Sequence, residues 1–312
     1  MPEILTQAQI NEYNEAGAIV VRDVLSPEEV ARLRRVTDQF VERSRAHTTH
    51  TDIFDLEDTH TPAQPRVRRI KSPHLHDPAY ADLVRHPRIL AVLRDLWGPD
   101  IRFDTAKLNL KSAGYGAAVE WHQDWAFYPH TNDDLAAVGI MMDDMEPANG
   151  PLLIVPGSHR GPVHSHHFDG KFCGAIDTSR GNVAYAKAIP LIGPAGSITV
   201  HHVRAIHGSA VNTSNKDRRL LLFQFRTADA WPLANPVKDL AEFDAMMCCG
   251  NSTIEPRLAA VPVRMPLPPA DKQGSIYENQ KALTNRYFDV VKPAEAANPA
   301  HGGGAAKRAT AT

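Results

Sequence analysis

The spacing of apolar positions changes near residue 100, and the change divides the chain into two kinds of structure. Up to Trp97 the spacing is mostly helical. Thr6 can cap a first helix ending at Gly17, and Ala18-Ile19-Val20-Val21 then reads as a strand. Ser26 at a cap, Pro27 in the first turn and Glu29 as capping-box partner start a second helix. Val30, Leu33, Val36 and Phe40 give it one apolar stripe. Residues 46–65 turn to Thr, His, Asp and Pro without periodicity, which predicts a long surface loop. Short helices are expected over 77–85 and 87–97, the second closed by Gly98.

From Ile101 the period is two. Across residues 105–111 the even positions are apolar and the odd ones polar. Further strands are expected over 136–143, 152–155, 196–202 and 218–226, separated by Gly/Pro turns such as Glu146-Pro147-Ala148-Asn149-Gly150-Pro151. Many short strands of this kind predict a mainly β protein with flanking helices, built on a double-sheet jelly roll. Residues 162–190, rich in His and Gly, are expected to form a flexible flap. The tail from Pro293 carries no apolar stripe and is expected to be disordered. The chain then reads as one domain over 1–292: a helical part to about 100, a β core over about 101–230 and a C-terminal extension.

Composition changes this picture mainly by exclusion. The 312 residues carry 34 basic and 36 acidic side chains, a net charge of −2, and no basic tract rises above background. Nucleic acid and membrane surfaces are therefore not expected partners. No run approaches transmembrane length. The cysteines, Cys173 and the pair Cys248-Cys249, are too sparse for a disulfide framework, so a reducing cytoplasm is expected. A monomer or homodimer acting on a small molecule is the expected form.

Candidate chemistry centres on Trp121-His122-Gln123-Asp124-Trp125. In extended backbone, positions i and i+2 share a face, so His122 and Asp124 point together and Gln123 points away. His207, in Ile206-His207-Gly208-Ser209, is the best third donor. Two histidines and a carboxylate on one side of a metal leave open positions, the facial arrangement of non-haem iron(II) oxygenases. The strand over 218–226 places Arg218, Gln224 and Arg226 on one face and Arg219 on the other, and parity does not say which face turns inward. An arginine in a dry pocket wants an anion, and its planar fork suits a carboxylate. A dicarboxylate chelating iron at one end and meeting Arg218 at the other would satisfy both. Arg226, Trp125, Arg69 and Lys71 are candidate substrate contacts; Arg226, the basic segment 66–71 and the aromatics Trp125, Phe127 and Tyr128 together lean towards a small organic molecule carrying a negative group. His164, His166 and His167 are expected on an exposed loop, and the basic run 66–71 is expected to be a solvated strand face.

These residues resemble the phytanoyl-CoA dioxygenase family. The resemblance rests on Trp121-His122-Gln123-Asp124, on Asn149-Gly150-Pro151 leading to Pro156-Gly157-Ser158-His159, and on His207-Gly208-Ser209 with Asn212 and Arg218. It spans about residues 10–230. It implies a double-stranded β-helix (jelly roll, cupin-like) core, with Fe(II) on His122, Asp124 and His207. It selects Arg218 for the distal carboxylate of 2-oxoglutarate, and Asn109 as a second cosubstrate contact. With O2, such enzymes convert 2-oxoglutarate to succinate and carbon dioxide while oxidising a substrate. Related halogenases lack the carboxylate ligand; Asp124 therefore favours hydroxylation or a similar oxidation. The competing readings are a cupin-type metalloenzyme without 2-oxoglutarate, which has no call for Arg218, and a non-catalytic metabolite-binding protein.

Overall fold

The computed structural model describes residues 2–270 and 274–288. In chain order its elements are α1 (Gln7–Ala16), β1 (Ala18–Val21), α2 (Pro27–Arg43), β2 (Phe54–Leu56), β3 (Val67–Lys71), α3 (Pro78–Ala81) and α4 (Pro87–Trp97). The β-rich part follows: β4 (Ile101–Lys111), β5 (Val119–His122), β6 (Leu135–Met141), β7 (Leu153–Ile154), β8 (His167–Phe168), β9 (Lys171–Phe172), β10 (Ile189–Pro190), β11 (Ile198–His202), β12 (His207–Ser209) and β13 (Arg218–Thr227). Last come α5 (Leu240–Ala245), β14 (Met247–Cys249) and α6 (Ile276–Asn279). The larger antiparallel sheet runs β1-β11-β6-β13-β4-β3-β2, with β14 also on β4, and the smaller runs β10-β7-β12-β5. The site lies between them. This is the expected mainly β jelly roll with flanking helices.

Strand β4 is the wall between core and site. Its even residues Ala106, Leu108 and Leu110 join the main core with Leu33 and Phe40 of α2 and with Ile89 and Leu93 of α4. Burying each of the larger side chains contributes about 1.5–3 kcal/mol. Its odd residues face the site. Pairing with β13 sets Lys111 opposite Arg218, Asn109 opposite Leu220 and Lys107 opposite Leu222, so these share the inner face. The helix that backs this sheet starts as the sequence requires: Ser26 Oγ accepts from Glu29 N at 3.3 Å, and Glu29 Oε2 accepts from Ser26 N at 2.8 Å.

Five expectations are corrected. Within 46–65, β2 adds to the larger sheet through β3, and β3 pairs with β4. Its period was hidden because Asp55 and Glu57 are buried acids beside Phe54 and Leu56, paid for by partners elsewhere: Glu57 pairs with buried Arg68 at 3.0 Å. The run 66–71 is thus a paired strand, not a solvated face. Residues 162–190 are not a free flap, since β10 pairs with β7 and Cys173, Ala175 and Ile176 are buried. His166 is buried there, not exposed, and its Nε2 accepts from Gln123 N at 2.8 Å behind the metal-binding stretch. The helix expected over 77–85 is α3 followed by a 3-10 turn, Asp82–Arg85. The tail from Pro293 lies outside the described residues.

Candidate active site

Strand β5 stops at His122, but Gln123 stays extended (φ −119°, ψ 127°) and Asp124 opens a short 3-10 turn. One extended residue is enough to keep His122 and Asp124 on a common side. Strand β12 pairs with β5 so that His207 stands opposite His122, with ring centroids 4.0 Å apart. A donor atom from each of His122, Asp124 and His207 lies within 4.8 Å of the others, and all three residues are buried. His122 Nε2 is 3.8 Å and His207 Nε2 4.0 Å from Asp124 Oδ1.

The donor chemistry fits a divalent iron. His122 Nδ1 bonds Glu120 O at 2.8 Å and His207 Nδ1 bonds Ala205 O at 2.9 Å. A carbonyl can only accept, so each Nδ1 carries the proton and each Nε2 presents a lone pair. Burial pushes the His122 imidazole down to about 4 and lowers His207 well below its ordinary value, so both are neutral near pH 7. Burial alone would raise the Asp124 carboxyl, but the Lys107 ammonium, His201 and the two other imidazoles hold it well below the usual carboxylate range. Neutral imidazoles and an ionised carboxylate are what metal ligation requires.

Two chambers meet at this centre. The inner one runs from the three donors past His201, Asn109 and Ser209 to Arg218 and Tyr277. Arg218 is buried; its Nη2 donates to Gly150 O at 2.6 Å and its Nε has no partner. Burial lowers its guanidinium to about 10, and among the described residues no carboxylate pairs with it. Lys111 stands beside it, donating to Ser209 Oγ at 2.8 Å and to Ala210 O. The outer chamber, about 390 Å³, is lined by Arg69, Lys107, Asp124, Phe127, Tyr128 and Gln224 among others. Lys107, Asp124, Leu222 and Ile276 border both.

Several sequence-predicted contacts are brought together here and others are not. Arg219 is spent on Asp143 and Asp38, which leaves Arg218 as the inward arginine. Asn109 lines the inner chamber with its Oδ1 unpartnered, and Arg69 lines the outer one. Three candidates fall away. Arg226 pairs with Asp104 at 2.8 Å and lies over the Phe243 ring. Trp125 is buried against Leu135, Val203 and Ala230, its Nε1 donating to Pro262 O. Lys71 pairs with Asp55 at 3.1 Å. In each case a neighbour that the local sequence does not reveal takes the group: Asp104 of β4 for Arg226, the Leu135, Val203 and Ala230 cluster for Trp125, and Asp55 of β2 for Lys71. Sequence reasoning missed Lys111, His201, Ser209 and Tyr277. The odd-face pattern of β4 carried the signal for Lys111, whereas Tyr277 lies in the C-terminal extension, where no motif marks it.

A jelly roll with a two-histidine, one-carboxylate centre facing a buried arginine that has no acidic partner among the described residues defines a non-haem iron oxygenase that uses a dicarboxylate cosubstrate. The model of the phytanoyl-CoA dioxygenase family matches residues 13–220, and the chain belongs to that family. It is an Fe(II)- and 2-oxoglutarate-dependent dioxygenase acting on a small molecule. The chain is 37% identical over 284 residues to a probable alpha-ketoglutarate-dependent hypophosphite dioxygenase of Stutzerimonas stutzeri, covering 90% of this chain and 99% of that one. It is 30% identical over 246 residues to L-proline trans-4-hydroxylase of Streptomyces griseoviridis, covering 72% and 88%. Iron-bound EctD of S. alaskensis has the same fold, with a TM-score of 0.61 at 23% identity over 74% of this chain and 80% of that one. Among the described residues no helix is long and apolar enough to cross a membrane.

Proposed function

We propose that His122, Asp124 and His207 hold iron, that the inner chamber holds 2-oxoglutarate, and that the outer chamber holds the substrate. The observation that carries this is the buried guanidinium of Arg218, without a counter-ion among the described residues, across a cavity from three converged metal donors. Iron and 2-oxoglutarate together supply an oxidative decarboxylation to succinate and carbon dioxide that couples O2 reduction to substrate oxidation.

The chain's own groups do the rest. Arg218 grips the distal carboxylate through its fork, with Lys111 and the Ser209 hydroxyl beside it. Asn109 offers its side-chain amide to the same ligand. Leu220, Leu222 and Ile276 exclude water around it, which strengthens each of these polar contacts. In the outer chamber Phe127 and Tyr128 wall the substrate beside Asp124, and the Tyr128 hydroxyl is held by Gln224. One chain brings all of these groups together, so a monomer or a homodimer can work. Residues 1–292 act as one catalytic unit, because Ile276 and Tyr277 complete the inner wall. The three cysteines are unpaired, which suits a cytoplasmic enzyme.

The relatives act on a small phosphorus oxyanion and on an amino acid, so hypophosphite and L-proline head the substrate panel. Iron(II) and 2-oxoglutarate are added anaerobically, a panel compound follows, and O2 is admitted. Succinate and one oxidised product are expected in equal amounts. No succinate with any compound, under conditions where iron is bound, would remove this reading.

A further inference from the structure

The inner face of the larger sheet carries more positive charge than the assigned ligands consume. Arg69, Asn109, Lys107, Lys111 and Arg218 lie on it side by side through the β3–β4 and β4–β13 registers. Arg218 lines the inner chamber, the Lys111 ammonium is taken up by Ser209 Oγ and by the Ser209 and Ala210 carbonyls, and Lys71, next along β3, is neutralised by Asp55 at 3.1 Å. Arg69 shares the same acid more loosely: its Nε stands 4.0 Å from Asp55 Oδ2, at the limit of ion pairing, and has no hydrogen-bond partner. Among the described residues, Lys107 has no ion pair. The carboxylates lining the two chambers are Asp104, already paired with Arg226, and Asp124, whose charge goes to the metal. Once iron is bound, the Lys107 ammonium loses its nearest compensation. An ammonium held against a pocket wall without a counter-charge is costly, and the cost falls if the substrate brings one.

We propose that Lys107 and Arg69 form an anion seat in the outer chamber, and that the substrate is a small anion. The inference rests on the function proposed above and names the substrate's charge and the residues that read it. Lys107 borders both chambers, as Asp124 does, so the bound charge lies beside the metal centre. A chamber of about 390 Å³ suits a compact molecule whose charged group is near the atom oxidised. The shared chemistry is an oxyanion, either of phosphorus or of a carboxyl group.

The test uses the full chain with iron(II) and 2-oxoglutarate under anaerobic conditions. Binding of hypophosphite, L-proline and L-prolinamide is measured by calorimetry in the wild type, Lys107→Met, Lys107→Arg and Arg69→Met. Cosubstrate affinity is read separately, from the iron(II)–2-oxoglutarate absorption band. Lys107→Met is expected to weaken the anion that binds by about 10- to 100-fold, the scale of one charge-assisted hydrogen bond. Arg69→Met should weaken it less, and Lys107→Arg should recover part of the loss. In Arg69→Met, whose side chain lines only the outer chamber, the 2-oxoglutarate dissociation constant should move less than about threefold. Hypophosphite alone would identify a phosphorus oxyanion and L-proline in preference to its amide a carboxylate; either supports the seat. Binding of neither, equal binding of proline and its amide, undiminished anion affinity in both methionine variants, or a cosubstrate loss as large as the anion loss overturns it. A wild type with no absorption band would instead sink the function on which the seat depends. Should Lys107→Met not fold, the Arg69→Met and Lys107→Arg comparison still decides.

Discussion

Two adjacent arginines on β13 show what a single residue's surroundings decide. Arg219 meets two carboxylates and Arg218 meets none among the described residues, though both have the same chemistry and only their parity differs. The structural arginine is satisfied within the protein; the ligand-binding one waits for an anion. Arg218→Met is therefore expected to raise the 2-oxoglutarate dissociation constant about 10- to 100-fold while leaving iron affinity within about threefold. Anaerobic titrations of cosubstrate and of iron check both halves. His207→Ala should do the reverse and abolish stoichiometric iron binding, because its Nε2 is one of the three donors that converge among the described residues in the proposed iron site. At this scale the convergent donor set was legible in sequence: His122 and Asp124 sit two apart, and His207 lies in the His207-Gly208-Ser209 stretch that carries part of the family resemblance. Arg226 and Trp125 were misjudged because nothing local says that Asp104 or the Ala230 cluster will claim them.

At the scale of elements, local rules held where a segment was long enough to show a period. The capped helix α2 and the eleven-residue strand β4 fall where capping residues and alternation put them. Strand β2, of three residues, is too short to show a period, and the buried acids Asp55 within it and Glu57 just after it make the segment look like a loop. The 162–190 segment looked mobile because its tertiary contacts, such as His166 with Gln123, are invisible in sequence. Removing the α2 cap with Ser26→Ala should cost about 1 kcal/mol of stability, lowering the melting temperature by a few degrees without changing kcat/KM. A turn near the site is less forgiving. Gly150 has φ +70°, and a Cβ there would stand 2.6 Å from Ala210 O and 3.1 Å from Lys111 Nζ. Gly150→Ala is expected to strain the turn that supplies Arg218 with its carbonyl partner, and to weaken 2-oxoglutarate more than iron. Equal loss of both ligands would mean general unfolding instead.

Across the whole molecule, buried neutral histidines tie stability to pH. Burial brings His166 down to about 3 from 6.5, and lowers His202 in the same direction. As pH falls below 6.5 the unfolded chain takes up these protons first, so stability is retained above that value and lost progressively toward about 3. The melting temperature of the iron-free protein should drop by about 5 °C or more between pH 7 and pH 5, and a flat profile would contradict this. The same burial that creates this sensitivity also keeps the metal donors unprotonated and dry. The account rests on two distant sets of side chains serving one bound cosubstrate, iron donors on the small sheet and a guanidinium on the large one. The most direct measurement is the iron(II)–2-oxoglutarate absorption band under anaerobic conditions in the wild type, His207→Ala and Arg218→Met. The account predicts a saturable band in the wild type, none in His207→Ala, and in Arg218→Met a band that forms only at much higher 2-oxoglutarate. A band that forms equally well in all three, or in none despite bound iron, would contradict it.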